Sequence, residues 1–115
     1  MSMFEGIGGG LEKYMTLVSE RQKLVASNIA NADTPGYRTQ DIDFEHEFAN
    51  AMAGISPTAT TVDGLRVKND GNNVSLDRES RLLAENAMRF NIASNLLRSE
   101  IKSLRSAIDG GSSAS

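Results

Sequence analysis

A chain of 115 residues with 12 Lys and Arg, 15 Asp and Glu, a net charge of −3 and no cysteine has room for one domain at most. Its charges are spread along the chain rather than gathered into a basic stripe, which argues against nucleic acid as a partner, and the lack of cysteine excludes disulfide staples and thiolate chemistry. Apolar residues make up 39% and aromatic residues 5%, with no tryptophan, so a single core removes little area from water and neighbours are expected to supply the missing stability.

Residues 1–10 carry neither a basic n-region nor an apolar h-region, and no window approaches the roughly 18 consecutive apolar residues of a membrane span. Neither a secretory signal nor a transmembrane helix is expected. Glycine at 6, 8, 9 and 10 holds a helix poorly, so 1–10 is expected to be flexible. From there Leu11, Met15, Val18, Gln22, Val25, Ile29 and Ala32 alternate spacings of four and three, the heptad seam of a helix over 11–32.

That helix runs into Thr34-Pro35-Gly36-Tyr37. Pro35 disfavours helical geometry at Thr34 and presets the first corner of a type II turn, and Gly36 supplies the positive φ of the second, so the helix must stop here. Asn28 and Asn31 lie one turn apart on one face and can satisfy backbone groups freed at the helix end. Capping alone accounts for them, and so does a wider role in assembly.

The segment 33–74 holds both prolines and reads as loop with minor strand. Asp41-Ile42-Asp43-Phe44-Glu45 alternates like a half-exposed strand, whereas Phe44, Phe48 and Met52 suit one short helix, and the pattern does not separate the two. Leu65-Arg66-Val67 and Val74-Ser75-Leu76 flank an Asp70-Gly71 turn, which predicts a small hairpin. His46, between Glu45 and Glu47 and near Asp41 and Asp43, makes a poor zinc set and lacks the fixed spacing of a calcium loop, so no metal or cofactor is expected.

A second seam, Leu76, Ser80, Leu83, Ala87, Phe90, Ser94, Leu97, Ile101, Leu104 and Ile108, predicts a helix over 75–109. Ser75 stands as N-cap, Asp77 and Glu79 fall in the first turn, Lys102 and Arg105 lie near the C-terminal end, and Gly110 is placed to end it before a flexible tail, 110–115. Leu82, Ala93 and Leu96 add a second apolar stripe. The polar seam residues Gln22, Ser80 and Ser94 are either accidents of a loose surface or devices that fix register. The helices measure about 33 Å and about 50 Å at 1.5 Å per residue, so a hairpin of the two leaves one end bare. The expected fold is mainly α: two long terminal heptad helices packed as a hairpin or coiled coil around a short irregular β-containing segment, in one domain.

No nucleophile with a base, phosphate-cradling loop or metal triad occurs, and no enzyme or small-molecule substrate is expected. Ser27-Asn28-Ile29-Ala30-Asn31 followed by Thr34-Pro35-Gly36-Tyr37 resembles the N-terminal signature of flagellar rod and hook proteins. Its continuation into Asp41-Ile42-Asp43-Phe44 resembles the proximal rod branch of that family. Asn72-Asn73-Val74-Ser75-Leu76-Asp77-Arg78-Glu79 and Leu83-Ala84-Glu85-Asn86-Ala87-Met88-Arg89-Phe90 resemble the start of the same group's C-terminal helix.

The resemblance implies a structural rod subunit that passes unfolded through the flagellar type III export apparatus and assembles at the periplasmic base of the drive shaft. Its partners would be itself, other proximal rod proteins, the rod-to-ring adaptor and the membrane-embedded ring, with helices ordering on docking. Asn28, Asn31, Asp33, Thr34, Pro35, Gly36 and Tyr37 form the expected assembly motif, locking adjacent subunits. Leu11, Met15, Val18, Val25 and Ile29, with Leu83, Ala87, Phe90, Leu97, Ile101, Leu104 and Ile108, are the expected helix seams. A soluble helical dimeric module or an export chaperone is the alternative.

Overall fold

The computed structural model describes the backbone of residues 3–114 and the side chains of residues 9–110. Five elements follow in order: α1 (Met3–Ala30), β1 (Gln40–Asp41), α2 (Phe44–Met52), β2 (Thr60–Thr61) and α3 (Leu76–Ala114). The two long helices form an antiparallel hairpin, as the Asn28–Glu79 and Gln22–Asn86 hydrogen bonds along its length require. The molecule is drawn out to 73 × 25 × 17 Å.

The helical bounds differ from the periodicity at both ends. Where the reading placed a flexible stretch 1–10, α1 continues back to Met3, and residues 1–2 lie outside the described residues. Extending an existing helix adds one hydrogen bond per residue, so a glycine weakens it by roughly 1 kcal/mol relative to alanine without stopping it. At the other end Gly110 does not adopt the left-handed φ of a terminator, and α3 runs through the expected tail to Ala114, with Ser115 outside the described residues. Lys102 and Arg105 therefore sit inside the helix, not at its negative end. The N-cap is as the sequence indicates: Ser75 Oγ accepts from the Arg78 N–H at 3.2 Å.

Of the two readings of the 41–52 stretch the short helix is realised, and of the 41–45 strand only Asp41 pairs. Gln40 and Asp41 pair antiparallel with Thr61 and Thr60, then Asp43 caps α2 by accepting from the His46 N–H. Tyr14 holds α2 to α1, meeting Phe44 and Phe48 edge-on with centroids 5.3 and 6.0 Å away, and the Arg89 guanidinium of α3 lies 5.1 Å over the Phe44 ring. Glu47, buried, accepts from the Thr58 N–H at 3.0 Å and ties the following loop to α2. The expected 65–76 hairpin reduces to a turn: Gly71 N–H donates to Lys68 C=O and Lys68 N–H to Asn72 C=O. Its chain is drawn away to close the end of α1.

Packing also corrects the α3 seam. The line facing α1 is Glu79, Leu82, Asn86 and Ala93, all buried, while Leu83, Ala87, Phe90, Ile101, Leu104 and Ile108 are exposed and Leu97 is half-buried. On α1, Val18 and Val25 are buried as expected, together with Leu17; Leu11 and Met15 are half-buried and Ile29 is exposed. The buried line keeps a heptad alternation, 79, 82, 86 and 93, but is displaced by one residue from the apolar stripe, because Glu79 and Asn86 turn toward α1 to meet Asn28 and Gln22. The register itself is pinned by a polar pair, Asn86 Nδ2 donating to Gln22 Oε1 at 3.1 Å.

Gly36 has φ +74°, and Tyr37 N–H donates to Thr34 C=O at 3.2 Å across the predicted turn. Gly36→Val should lower stability by about 2 kcal/mol through left-handed strain at a β-branched residue. Urea unfolding followed by circular dichroism reads that loss, and an unchanged midpoint would refute it.

Candidate functional site

The assembly motif is gathered into one corner at the end of α1, and Asn28 is its centre. Its side chain is fully buried and uses every hydrogen-bonding position it has. Nδ2 donates to Gln40 C=O at 2.8 Å and to Glu79 Oε1 at 3.1 Å. Oδ1 accepts from Gln40 N–H at 3.0 Å and from Tyr37 Oη at 2.9 Å. The amide thus pairs with the Gln40 backbone as a neighbouring strand residue would, and ties α1, the turn, β1 and α3 together. Because Tyr37 has given its proton to Asn28, the Ser27 hydroxyl, 3.3 Å away, is the donor in their contact.

Asn31 does different work. Its Nδ2 donates to Ser27 C=O at 2.9 Å and its Oδ1 accepts from Thr34 Oγ1 at 3.0 Å. Beyond it, the 68–74 segment returns to cap the corner. Asn72, fully buried, donates to the carbonyls of Asn31 and Thr34 at 2.8 and 2.9 Å, and Lys68 Nζ donates to Ala32 C=O at 2.8 Å. Gly36 N–H reaches Asp70 C=O at 2.8 Å, and Asn73 Oδ1 accepts from the Thr39 N–H at 2.6 Å. Gly71 (φ +85°) passes so close that a Cβ there would stand 3.4 Å from Gly36 Cα. Asp33 and Pro35 are exposed. The bonds of Asn28, Asn31, Thr34, Gly36 and Tyr37 are made within the chain: the corner sets the angle between the hairpin and the middle segment.

Beside it lies a chain of charges that periodicity did not single out. Arg21 binds Asp41 through two parallel bonds, Nε to Oδ1 at 2.9 Å and Nη2 to Oδ2 at 3.0 Å. Arg78 also pairs with Asp41, and its Nη1 lies 2.8 Å from Glu79 Oε1. Glu79 is fully buried and its Oε2 has no partner among the described residues. Three elements, α1, β1 and α3, are clamped by this network. Sequence signals for it exist but are faint: Arg21 interrupts the face next to the Gln22 seam, and Arg78 falls in the first turn of α3, where a cation opposes the helix dipole and needs a carboxylate nearby.

Among the described residues no group of three or more His, Asp and Glu can hold a metal ion, and none of their helices is long and apolar enough to cross a membrane. Two hollows lie along the hairpin: one of about 450 Å³ is lined by Val18, Gln22, Ala26, Ala87 and Phe90, among others, and one of about 560 Å³ shares Ser19, Lys23 and Phe90 with it. Both are troughs between helices; the charged side chains at their rim are Lys23, paired with Glu20, and Glu12.

Comparison with known proteins places this architecture. A family described as "Flagella basal body rod protein" matches residues 15–38, the stretch from mid-α1 through the corner. The flagellar basal body rod protein FlgB of Salmonella typhimurium is 34% identical over 125 aligned positions, covering 87% of this chain and 91% of the relative. That of Escherichia coli K12 is 29% identical with the same coverage, and that of Borrelia hermsii 28% identical over 94% of this chain and 99% of the relative.

Two predictions follow from the corner. Asn28→Ala leaves the Gln40 N–H and C=O and the Glu79 carboxylate short of partners in a dry site, and should cost about 2–4 kcal/mol, read as a lower urea midpoint. The second concerns pH. Burial acts to raise the Asp41 carboxyl, but the hydrogen bonds and charge of Arg21, with Ile42 N–H and Arg78, outweigh it and hold the group below its ordinary 3.8. A carboxyl depressed by folding adds stability above its unfolded value that is lost as pH falls through the folded one. Unfolding free energy should therefore decline as pH drops below about 3.8. Asp41→Asn should remove that share of the decline and cost about 3 kcal/mol at neutral pH, by leaving Arg21 without its carboxylate and Arg78 with Glu79 alone. A variant with the same acid profile as the parent would refute this role for Asp41.

Proposed function

Since the chain belongs to the family of the flagellar basal body rod protein FlgB, we propose that it forms the proximal part of the rod by packing the outer faces of α1 and α3 against neighbouring subunits. It is a structural subunit of the flagellar basal body rod. In this reading it serves motility without catalysing a reaction, and stands in the periplasm as part of the drive shaft. Other rod proteins are its neighbours; further copies of itself, the rod-to-ring adaptor, the membrane-embedded ring and the export apparatus that delivers it complete the proposed set.

The observation that carries the reading is the bare apolar surface of α3. Met88, Ile92, Leu96, Ile101, Leu104 and Ile108 are all at least 40% exposed, and every residue from 101 to 110 is exposed. A monomer that ended its life in solution would keep such a run off its surface; a subunit of a packed shaft needs it. The corner fits the same role, because a fixed angle between hairpin and middle segment gives each copy the same shape. The alternative, a dimeric helical module or export chaperone, is not favoured, since the relatives that match along nearly their whole length are rod proteins.

Removing the gene from its host should leave cells without swimming and basal bodies without a complete rod, seen by electron microscopy, and normal rods would overturn the reading. At residue level, Ile101→Asp together with Ile108→Asp should shift the unfolding free energy of the isolated chain by no more than about 0.5 kcal/mol, as exposed substitutions do, yet abolish swimming on soft agar.

A further inference from the structure

The sequence holds three Asp-Gly dipeptides, Asp63-Gly64, Asp70-Gly71 and Asp109-Gly110. The pair is chemically special because glycine has no Cβ, so its backbone nitrogen reaches the preceding side-chain carboxyl with little hindrance. What holds the two groups decides whether they meet. Here one dipeptide stands in three different settings, and the fold separates them.

Asp70-Gly71 is held from several sides. Asp70 Oδ1 accepts from the Asn72 N–H at 3.0 Å, its carbonyl accepts from the Gly36 N–H at 2.8 Å, and Gly71 N–H donates to Lys68 C=O at 2.9 Å. Asp109-Gly110 lies inside α3, where each backbone N–H is directed at the carbonyl four residues back.

Asp63-Gly64 differs from both. The two residues are exposed, and neither takes part in a hydrogen bond or ion pair among the described residues. They follow directly on the last bond of the small sheet, Val62 N–H to Thr39 C=O at 3.1 Å, and the next backbone N–H with a partner is that of Lys68. Gly64 has φ +80°, and a Cβ there would meet nothing within 4 Å. Exposed, unbonded backbone of this kind rearranges at little cost.

We propose that Asp63 is a site of spontaneous isoaspartate formation. The Gly64 nitrogen attacks Asp63 Cγ and an N–Cγ bond forms. The amide proton leaves with the carboxyl hydroxyl as water, which closes a five-membered succinimide. Water then adds back at either ring carbonyl. Opening at Cγ restores aspartate. Opening at the main-chain carbonyl breaks its bond to the Gly64 nitrogen, so the chain runs on through Cβ and Cγ and leaves a free α-carboxylate. The backbone gains one methylene, the mass is unchanged, and water is the one co-reactant.

Position decides what this does to the fold. At Asp63 the added methylene falls in the unbonded stretch between Val62 and Lys68, so the sheet and the corner keep their hydrogen bonds. At Asp70 the same change would displace Gly71, where a Cβ would already stand 3.4 Å from Gly36 Cα, and lift the cap off the end of α1. The bonds of the corner thus shield the Asp-Gly whose rearrangement would undo it. None of this depends on what the chain assembles with.

Trypsin separates the three sites, since cleavage after Arg38, Arg66, Lys68, Arg78 and Arg105 leaves them in peptides 39–66, 69–78 and 106–115. The purified full-length chain is held for weeks in warm neutral buffer, folded and, in parallel, in concentrated guanidinium chloride. Isoaspartyl peptides are then located by electron-transfer fragmentation, each folded yield being taken relative to the denatured yield at the same site. Isoaspartate is expected in 39–66 of the folded chain, with roughly 25-fold less in 69–78, where two hydrogen bonds of about fivefold each must open first. The aged chain should keep its urea midpoint, and a lowered midpoint would refute the tolerance at Asp63. Equal relative yields at Asp63 and Asp70, or none at Asp63, overturn the proposal. Asp63→Glu should empty peptide 39–66 of the signal; a signal that persists belongs to Asp41 or Asp43 and overturns it as well.

Discussion

The fold depends on how one helix end is closed. α1 stops at Ala30 because the chain must turn at Pro35 and Gly36, and a buried helix terminus leaves carbonyls that water cannot reach. Asn31 solves half of that problem from the helix end itself, by donating its amide to Ser27 C=O, while Asn28 binds the Gln40 backbone and Glu79 to the last turn. Asn72 and Lys68 solve the other half from the far side of the middle segment, by donating to Asn31, Thr34 and Ala32 carbonyls. Segments far apart in sequence are thereby fixed to one point, with little apolar area spent. In a chain with few aromatic residues, a saturated polar network takes over the specifying role that a large core has elsewhere.

How much of this was legible depends on the range of the interaction. Helix-scale features came through: the existence of both long helices, the Ser75 cap and the Thr34–Tyr37 turn are set by residues within one or two turns of each other. The Asn28 and Asn31 pair was visible as a candidate, though its partners were not, since Gln40 and Glu79 are 12 and 51 residues away. Arg21, Asp41 and Arg78 were passed over because a charged residue on a helix face usually means solvent, and only the fold reveals that Asp41 receives two guanidinium groups. The α3 seam differs in phase rather than period: Glu79, Leu82, Asn86 and Ala93, one residue off the apolar stripe, face α1. Glu79 and Asn86 are polar, so apolar counting could not have chosen them.

The same mismatch explains what the protein exposes. With 28 residues in α1 and 39 in α3, one partner cannot cover both apolar stripes of the longer helix. Glycine at 9 and 10 adds to this, because no side chain stands on α1 where a Cβ at Gly9 would meet nothing within 4 Å. The hairpin is therefore complete as a scaffold near the corner and incomplete as a surface toward its open end. Stability of the isolated chain and readiness to assemble are set by different residues, which lets polar substitutions at Ile101 or Ile108 and at Asn28 or Asp41 be told apart by experiment.

A shaft must carry torque without its subunits changing shape, and the division between corner and open end serves that need. A closed polar network resists deformation because its bonds are directional and lengthening any of them strands a buried group. Apolar contacts between helices are individually less directional but add up along α3. Register between the hairpin helices rests on Gln22 and Asn86, and sliding by one turn would separate that pair. Polar residues on the seam thus confine the hairpin to one alignment, so that every subunit presents the same outer faces. Without that, packing against neighbouring rod subunits would accumulate misfit, and the load would fall on the few contacts that happened to align.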